Sequence, residues 1–337
     1  MKALWLVKRG TWEVRETPEP RPKAGEVRIA VRAFGLNFAE LMASNGLYPD
    51  APKLPAILGY EIAGEIDAVG EGVDASRVGE RVVALTHFGG HAQSCCVPGE
   101  RALSIPPTMP FETAAALPVT YITAYHMLFV SANLRPGESV LVQMAAGGVG
   151  TAALQLCRTV PGVTTFGTAS AAKHGVLREN GCAHPIDYRT VDYADEVRRL
   201  TDGAGVDIVL DPLGGPDTLK GYRLLRPAGR VVVYGFANLQ TKRRNMLHVI
   251  GQVVRVPLFS PLSLMSSNHG IIGVNIGHLW SRADLLLAEM KEVLGLYEAA
   301  KIAPVIDCVL PLERAAEGYN RIASGQNIGK IVVSASA

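Results

Sequence analysis

Apolar and polar residues alternate in short runs through the N-terminal part of the chain. The runs Ala3–Val7, Glu26–Ala33, Ile62–Val69, Arg81–Leu85 and Ala92–Val97 are each bounded by Gly, Pro or acidic residues. That pattern predicts short strands of an irregular, partly barrel-like β domain. From about Tyr121 the rhythm becomes apolar strand, turn, helix. Strands are predicted at Ser139–Gln143, Val163–Gly167, Val206–Leu210, Arg230–Tyr234 and Ile271–Asn275, with helices at Val149–Thr159, Ala171–Asn180 and Pro216–Leu225. Strands alternating with helices imply a parallel, doubly wound sheet. A helix at Ser281–Ala300, a strand at Ile306–Leu310, a helix around Leu312–Ala323 and a last strand at Lys330–Ser334 follow. This C-terminal stretch is expected to return to the first domain. The fold class is therefore α/β, with a β-rich domain from 1–120 and 276–337 and a doubly wound domain from 121–275.

The length of 337 residues fits two domains, and 48% apolar against 19% charged residues excludes a mainly disordered chain. A net charge of +2 offers no field to draw the whole protein onto nucleic acid. No charged residue falls between Glu112 and Arg135 or between Arg255 and Arg282, but prolines, polar residues and glycines interrupt both stretches. Buried elements are expected there rather than membrane spans. Five scattered cysteines suggest no disulfide framework, and the N-terminal apolar run is too short for a secretory signal, so a cytoplasmic location is expected. Cys95-Cys96 lacks a recognisable His and carboxylate pair and reads as inert. His87 and His91 have helical metal-ligand spacing, but Gly89-Gly90 places them in a loop.

The strand at Ser139 runs into Ala145-Ala146-Gly147-Gly148-Val149-Gly150 and then a helix, an A-x-G-x-x-G version of the dinucleotide fingerprint. Gly147 would let the backbone approach a pyrophosphate, and Gly150 would let the helix pack closely. A site for NAD would place an acid at the end of the next strand, to bind the ribose 2′-OH. Here that strand ends in Thr168-Ala169-Ser170, and no Asp or Glu occurs from Ser139 through Arg178, whereas Lys173, His174 and Arg178 lie just beyond. These residues suit a 2′-phosphate and favour NADPH.

Several ordered segments carry a further signal. They are Gly35-Leu36-Asn37-Phe38-Ala39-Glu40-Leu41-Met42, Gly46-Leu47-Tyr48-Pro49, Tyr121-Ile122-Thr123-Ala124-Tyr125, Met144–Leu156, Phe166–His174, His184–Tyr188, Val206–Gly215 and Asn327-Ile328-Gly329-Lys330. With them the chain resembles, from end to end, the zinc-free, zeta-crystallin-like quinone oxidoreductase branch of the medium-chain dehydrogenase/reductase superfamily, most nearly its vesicle amine transport protein homologues. The resemblance implies a GroES-like catalytic domain beside a Rossmann domain. Zinc enzymes of the superfamily carry a Cys where Asn37 stands and G-H-E where Gly59-Tyr60-Glu61 stands. Leu117–Ile122 supplies no third ligand, so no metal is expected.

The implied activity is hydride transfer from NADPH to a quinone or an α,β-unsaturated carbonyl. The resemblance places Asn37 and Thr123 at the nicotinamide and Ala146, Gly147, Gly148, Val149 and Gly150 at the pyrophosphate. It places Thr168, Ser170, Lys173 and Tyr188 at the adenosine end, and Asn238, Gly273 and Asn275 along the nicotinamide half. Lys330 matches a family position near the cofactor cleft. Asn37, Tyr48 and Tyr60 are the candidate donors to a developing oxyanion, although Tyr60 reads equally as a packing residue. Two alternatives stay open: an enoyl-thioester reductase with a basic entry drawn from Arg32, Lys53, Lys242, Arg243, Arg244 and Arg255, and a cofactor-binding adaptor with little turnover. The expected partners are a small apolar substrate and a second copy paired through the last sheet strand. Membrane contact is expected to be at most peripheral, through Lys242-Arg243-Arg244 and the apolar Val253–Leu264 segment, and the favoured reading buries that segment instead.

Overall fold

The structure, a computed structural model, describes residues 1–48, 50–239, 251 and 254–335. In chain order the strands are β1 (Lys2–Lys8), β2 (Thr11–Glu16), β3 (Glu26–Leu36), β4 (Ala56–Ile57), β5 (Glu61–Val69), β6 (Arg81–Leu85), β7 (Ser94–Pro98), β8 (Ala102–Ser104), β9 (Ser139–Val142), β10 (Thr164–Ala169), β11 (His184–Asp187), β12 (Val206–Asp211), β13 (Leu225–Val233), β14 (Gly270–Gly273), β15 (Ile306–Pro311) and β16 (Lys330–Ser334). The principal helices are α1 (Phe38–Ser44), α2 (Phe111–Ala115), α3 (Pro118–Tyr125), α4 (Gly148–Arg158), α5 (His174–Glu179), α6 (Tyr193–Leu200), α7 (Pro216–Tyr222), α8 (Pro261–Ser267), α9 (Ala283–Glu298) and α10 (Ala315–Ala323).

Two units result. The first comprises Met1–Ile122, Trp280–Leu296 and Pro304–Ala337, the second Thr123–Leu279 and Tyr297–Ala303. The expected assignment of all of 276–337 to the first domain therefore needs correcting. The physical reason lies in α4: the Gln155 amide donates to the Ala303 carbonyl (2.7 Å) and accepts from its N–H (2.8 Å), which fastens this segment to the second unit.

In the first unit, β2-β1-β4 form a small antiparallel sheet, and β15-β16-β3-β5-β6-β8 form a larger one, with β7 also on β3. β3 shows the alternation that places it: Val27, Ile29 and Val31 are buried, while Arg28 and Arg32 turn outward to Asp67 and Glu65. Its C-terminal half pairs antiparallel with β16, Ile331 opposite Leu36 and Val333 opposite Phe34. Leu4, Val27, Ile29, Phe34, Ile62, Val82, Tyr319 and Ile331 share one core. The last strand of the chain thus completes a sheet begun by the third.

In the second unit the order β11-β10-β9-β12-β13-β14 is parallel throughout. Val140–Val142 and Ile208–Leu210 are wholly buried, as strands covered on both faces must be. Strand order reverses between β9 and β12, which opens a crevice at their carboxyl ends.

Several elements differ from expectation. Ala171–Asn180 is a 3-10 turn at Ala171–Lys173 followed by the shorter α5; Gly175 within it weakens a longer helix. β14 stops at Gly273, because Asn275 instead accepts the Gly277 N–H and opens a new turn. β2, β4, β8, β11 and α6 had no strong pattern; α6 is held by Asp192, which accepts the Ala194 N–H at 2.8 Å. Among the described residues no helix is long and apolar enough to cross a membrane.

A Cβ on Gly150 would come within 2.6 Å of the Ala145 Cα and the Met144 carbonyl oxygen, both backbone atoms. Gly150→Ala is expected to lower the unfolding free energy by about 1–3 kcal/mol. An unchanged urea midpoint would contradict this close packing of α4 on the turn before it.

Candidate active site

The second unit gathers most of the sequence-predicted cofactor residues at one end of its sheet. Ala146–Gly150 follow β9, Thr168, Ser170 and Lys173 end or follow β10, and Tyr188 follows β11. Asn238 lies in a 3-10 turn (Ala237–Leu239) after β13, and Gly273 and Asn275 close β14. Because all six strands are parallel, these positions share the carboxyl edge. Thr123 lies in α3 and is buried.

The turn between β9 and α4 is shaped by its neighbours. Met144 adopts φ 52°, and Thr168 fixes the turn twice, its hydroxyl accepting from the Met144 N–H (3.1 Å) and its carbonyl from the Ala145 N–H (3.0 Å). The Thr168 hydroxyl is therefore a brace for the turn. Ala145 can replace the usual first glycine because its Cβ packs where a side chain on Gly167 would stand, 3.0 Å away.

Gly147 differs from Gly150 in kind. A Cβ there would meet only the Met144 carbonyl, at an ordinary 3.4 Å, so packing within the chain does not require a glycine. The space it leaves is open at the start of α4. That helix has no side-chain cap and no acidic residue in its first turn. Free amides, positive dipole and room for close approach make a donor set suited to a dinucleotide pyrophosphate. At the adenosine end, Tyr188 is half exposed beside the Arg189 guanidinium, and the nearby Asp187 carboxylate takes the Arg189 N–H.

The first unit contains a cluster of a different character. Asn37 precedes α1, and Glu40 in the first turn accepts the Asn37 backbone N–H at 2.7 Å. The Asn37 side-chain NH2 donates to Glu40 (3.3 Å) and to Glu61 (3.0 Å), while its oxygen accepts from Lys330 Nζ at 2.5 Å. Lys330 is also ion-paired with Glu61, whose other oxygen accepts the Val119 N–H at 2.7 Å. Tyr319 OH donates to Glu40 at 2.8 Å, and His91 Nε2 stands 3.4 Å from the same carboxylate. Glu40, Glu61 and His91 are 0% exposed and Lys330 4%.

Burial alone would push the Glu40 carboxyl up, but His91, Lys330 and the Tyr319 hydroxyl outweigh it and hold it below the usual carboxylate range. Tyr319 is pushed well up by burial and by Glu40, so it stays protonated and donates. The geometry bears on two expectations. Both Asn37 amide hydrogens are donated to carboxylates. Lys330, expected near the cofactor cleft, is buried and ion-paired with Glu61.

Tyr60 is buried, its ring 5.1 Å from that of Phe88, and its hydroxyl carries no hydrogen bond of normal geometry. Burial first, then Tyr48, Glu40 and Asp50, push its pKa up, so it remains a neutral donor. Tyr48 packs beside Leu6, Ala43 and Leu58 in the same apolar patch. Glu40, Glu61, His91 and Tyr319 did not emerge from the sequence as site residues. One signal was available: Asn37-x-x-Glu40 has capping-box spacing. Tyr319 is remote in sequence and nothing local marks it, while His91 stood out only for its spacing from His87. Among the described residues no group of three His, Cys, Asp or Glu side chains could hold a metal ion.

A fold of GroES-like and doubly wound units with this glycine turn defines a class, the medium-chain dehydrogenases and reductases. Two family models match: "Alcohol dehydrogenase GroES-like domain" at residues 23–111 and "Zinc-binding dehydrogenase" at residues 180–333. The synaptic vesicle membrane protein VAT-1 homolog of Rattus norvegicus is 48% identical over 320 residues, covering 95% of this chain and 79% of that one. Among solved structures, the human synaptic vesicle membrane protein VAT-1 homolog-like protein superposes with a TM-score of 0.86 at 37% identity, covering 100% and 98% of the two chains. A mycobacterial protein complexed with NADPH does so with a TM-score of 0.86 at 26% identity, covering 99% and 100%. The chain belongs to the quinone oxidoreductase-like branch of the medium-chain dehydrogenase/reductase superfamily, among the VAT-1 homologues.

The lowered Glu40 pKa fixes the sign of a pH effect. Its stabilisation is complete above the ordinary value of 4.5 and is lost as the pH falls through the lower folded value. Glu40→Gln is expected to cost about 3 kcal/mol at neutral pH. The gap to wild type should close as acid protonates the native carboxylate; a gap independent of pH in urea titrations would contradict the assignment.

Proposed function

We propose that this protein is an NADPH-dependent reductase that adds hydride to a quinone or an α,β-unsaturated carbonyl without a metal. The carrying observation is the carboxyl edge of the parallel sheet. There the open space at Gly147, the uncapped start of α4 and a β10 end with Ser170 and Lys173 but no carboxylate suit a dinucleotide bearing a 2′-phosphate. A related fold solved with NADPH supports the same cofactor.

When bound, NADPH supplies the hydride. The amides at the start of α4, Gly148, Val149 and Gly150, hold the pyrophosphate beside the open space at Gly147, Ser170, Lys173 and Tyr188 surround the adenosine 2′-phosphate, and Thr123, Asn238, Gly273 and Asn275 serve the nicotinamide half. In the first unit Tyr60 is the donor to the acceptor oxygen that gains charge, because burial keeps its phenol neutral. Tyr48 assists it. Asn37 is a positioning residue, locked by Glu40, Glu61 and Lys330. The metal-free reading rests on the donor set: the cation neutralising Glu61 is the Lys330 ammonium, which a metal would have to displace.

A homodimer is proposed as the working form. Among the described residues the outer edge of β14 has no partner strand, and the neighbouring Leu258, Leu262 and Met265 are exposed, Leu258 to 98%. A second copy paired along β14 would cover both features. Lys242, Arg243 and Arg244, the basic run of the adaptor reading, lie outside the described residues, as does Val253.

Chelator-treated protein should oxidise NADPH with quinones or enones; tight NADPH binding without turnover on any acceptor would favour the adaptor reading. Lys173→Ala should raise the KM for NADPH by roughly 10- to 100-fold, the worth of one charge-assisted contact, with little change for NADH. Equal losses with both cofactors would reject the 2′-phosphate role. Tyr60→Phe should lower kcat about 10- to 100-fold at unchanged NADPH affinity. Light scattering at micromolar concentration should report a dimer; a monomer would remove that part.

A further inference from the structure

A chain of hydrogen bonds crosses the carboxyl edge of the second unit, and none of the roles above uses it. Gln143, directly after β9, donates through Nε2 to the Tyr193 hydroxyl at 3.0 Å. Tyr193, the first residue of α6, donates to Asp217 Oδ1 at 3.0 Å. Asn238 Nδ2 donates to the other Asp217 oxygen at 2.8 Å and to the Gly214 carbonyl at 3.1 Å.

The direction of every link is forced. A carboxylate can only accept, so Tyr193 must give Asp217 its single proton, and its oxygen can then only accept from Gln143. Burial and Asp217 together raise the Tyr193 pKa, which keeps that proton in place. The arrangement leaves the Gln143 Oε1 buried without a partner. Turning the amide over would set two acceptors against each other, so the orphan oxygen is the lesser cost.

The two ends of this strut are the two sides of the crevice. Sheet order runs β9, β12, β13, so the strut spans the end of β12 and joins the glycine turn after β9 to the turn after β13. That second turn is docked on the β12–α7 loop as well: Ala237 and Asn238 donate their N–H groups to the Pro212 (2.9 Å) and Leu213 (3.1 Å) carbonyls. Gly214 lacks a Cβ that would fall 2.4 Å from the Phe236 ring.

We propose that Tyr193 and Asp217 are positioning residues that hold the Asn238 turn at a fixed reach from the glycine turn, so that the nicotinamide half of the cofactor meets a wall already formed. This rests on the NADPH reading above and adds residues that touch no part of the cofactor themselves. Asp217→Asn tests it with little change of shape: it keeps an acceptor for Tyr193 but sets an amide donor against Asn238. Tyr193→Phe keeps the Asp217 to Asn238 link and should act more weakly.

The experiment measures equilibrium binding of NADPH and of 2′,5′-ADP, the adenosine half alone, to wild type and both variants, with hydrogen exchange at residues 237–239. Asp217→Asn should weaken NADPH about tenfold, leave 2′,5′-ADP within about twofold, and speed exchange at 237–239 by about tenfold. Unchanged NADPH affinity, or equal losses of both nucleotides, would overturn the strut while wild-type binding keeps the cofactor reading intact. A wild type that binds neither nucleotide would overturn the cofactor reading and this inference together.

Discussion

Two carboxylates, Glu40 and Glu61, are fully buried in the first unit, and each is held by hydrogen-bond and ion-pair partners. An unpaired carboxylate in such a place would cost several kcal/mol, roughly what removing one partner of a buried ion pair costs. The compensation comes from distant parts of the chain: Lys330 on β16, Tyr319 on α10 and His91 before β7. The C-terminal segment must therefore return beside β3 and β5 for the N-terminal one to be stable. Packing and charge act together here, since β16 that carries Lys330 also contributes Ile331 and Val333 to the core around Phe34.

The same cluster narrows what its members can do chemically. A buried network is rigid when each donor and acceptor is satisfied. Asn37 is satisfied on every side-chain hydrogen by Glu40 and Glu61. Tyr60 is close enough to feel Glu40 electrostatically but keeps its hydroxyl outside the network.

The second unit solves a different problem. A parallel sheet covered on both faces leaves its strand ends as the place where backbone donors and polar side chains can gather. Its turns hold one another: Thr168 braces the glycine turn, Asp211 caps the Leu213 and Gly214 amides, and Asp217 ties Asn238 and Tyr193 across the edge. The result is a crevice whose walls are set before any ligand arrives, which is where preorganisation gains affinity.

Local pattern was enough for much of this. Period-two alternation marked β3, continuous apolar runs marked β6, β9 and β12, and the glycine turn was marked by its place after a strand and before a helix, because each depends only on neighbours along the chain. The missing acid after β10 was equally legible, being a matter of composition. Short strands such as β4 and β8 were not, since they owe their form to partners in the sheet. Nor was the ion pairing of the first unit, since Lys330 is seen to pair with Glu61 only once β16 is placed beside β3. Asp217 and Tyr193 look like a helix-start acid and a packing aromatic until three turns converge. Sequence by itself determined the two architectures, the family and the glycine turn, whose causes lie within a few residues. Only the tertiary structure decided which polar groups are paired, because burial and hydrogen bonding arise between segments hundreds of residues apart.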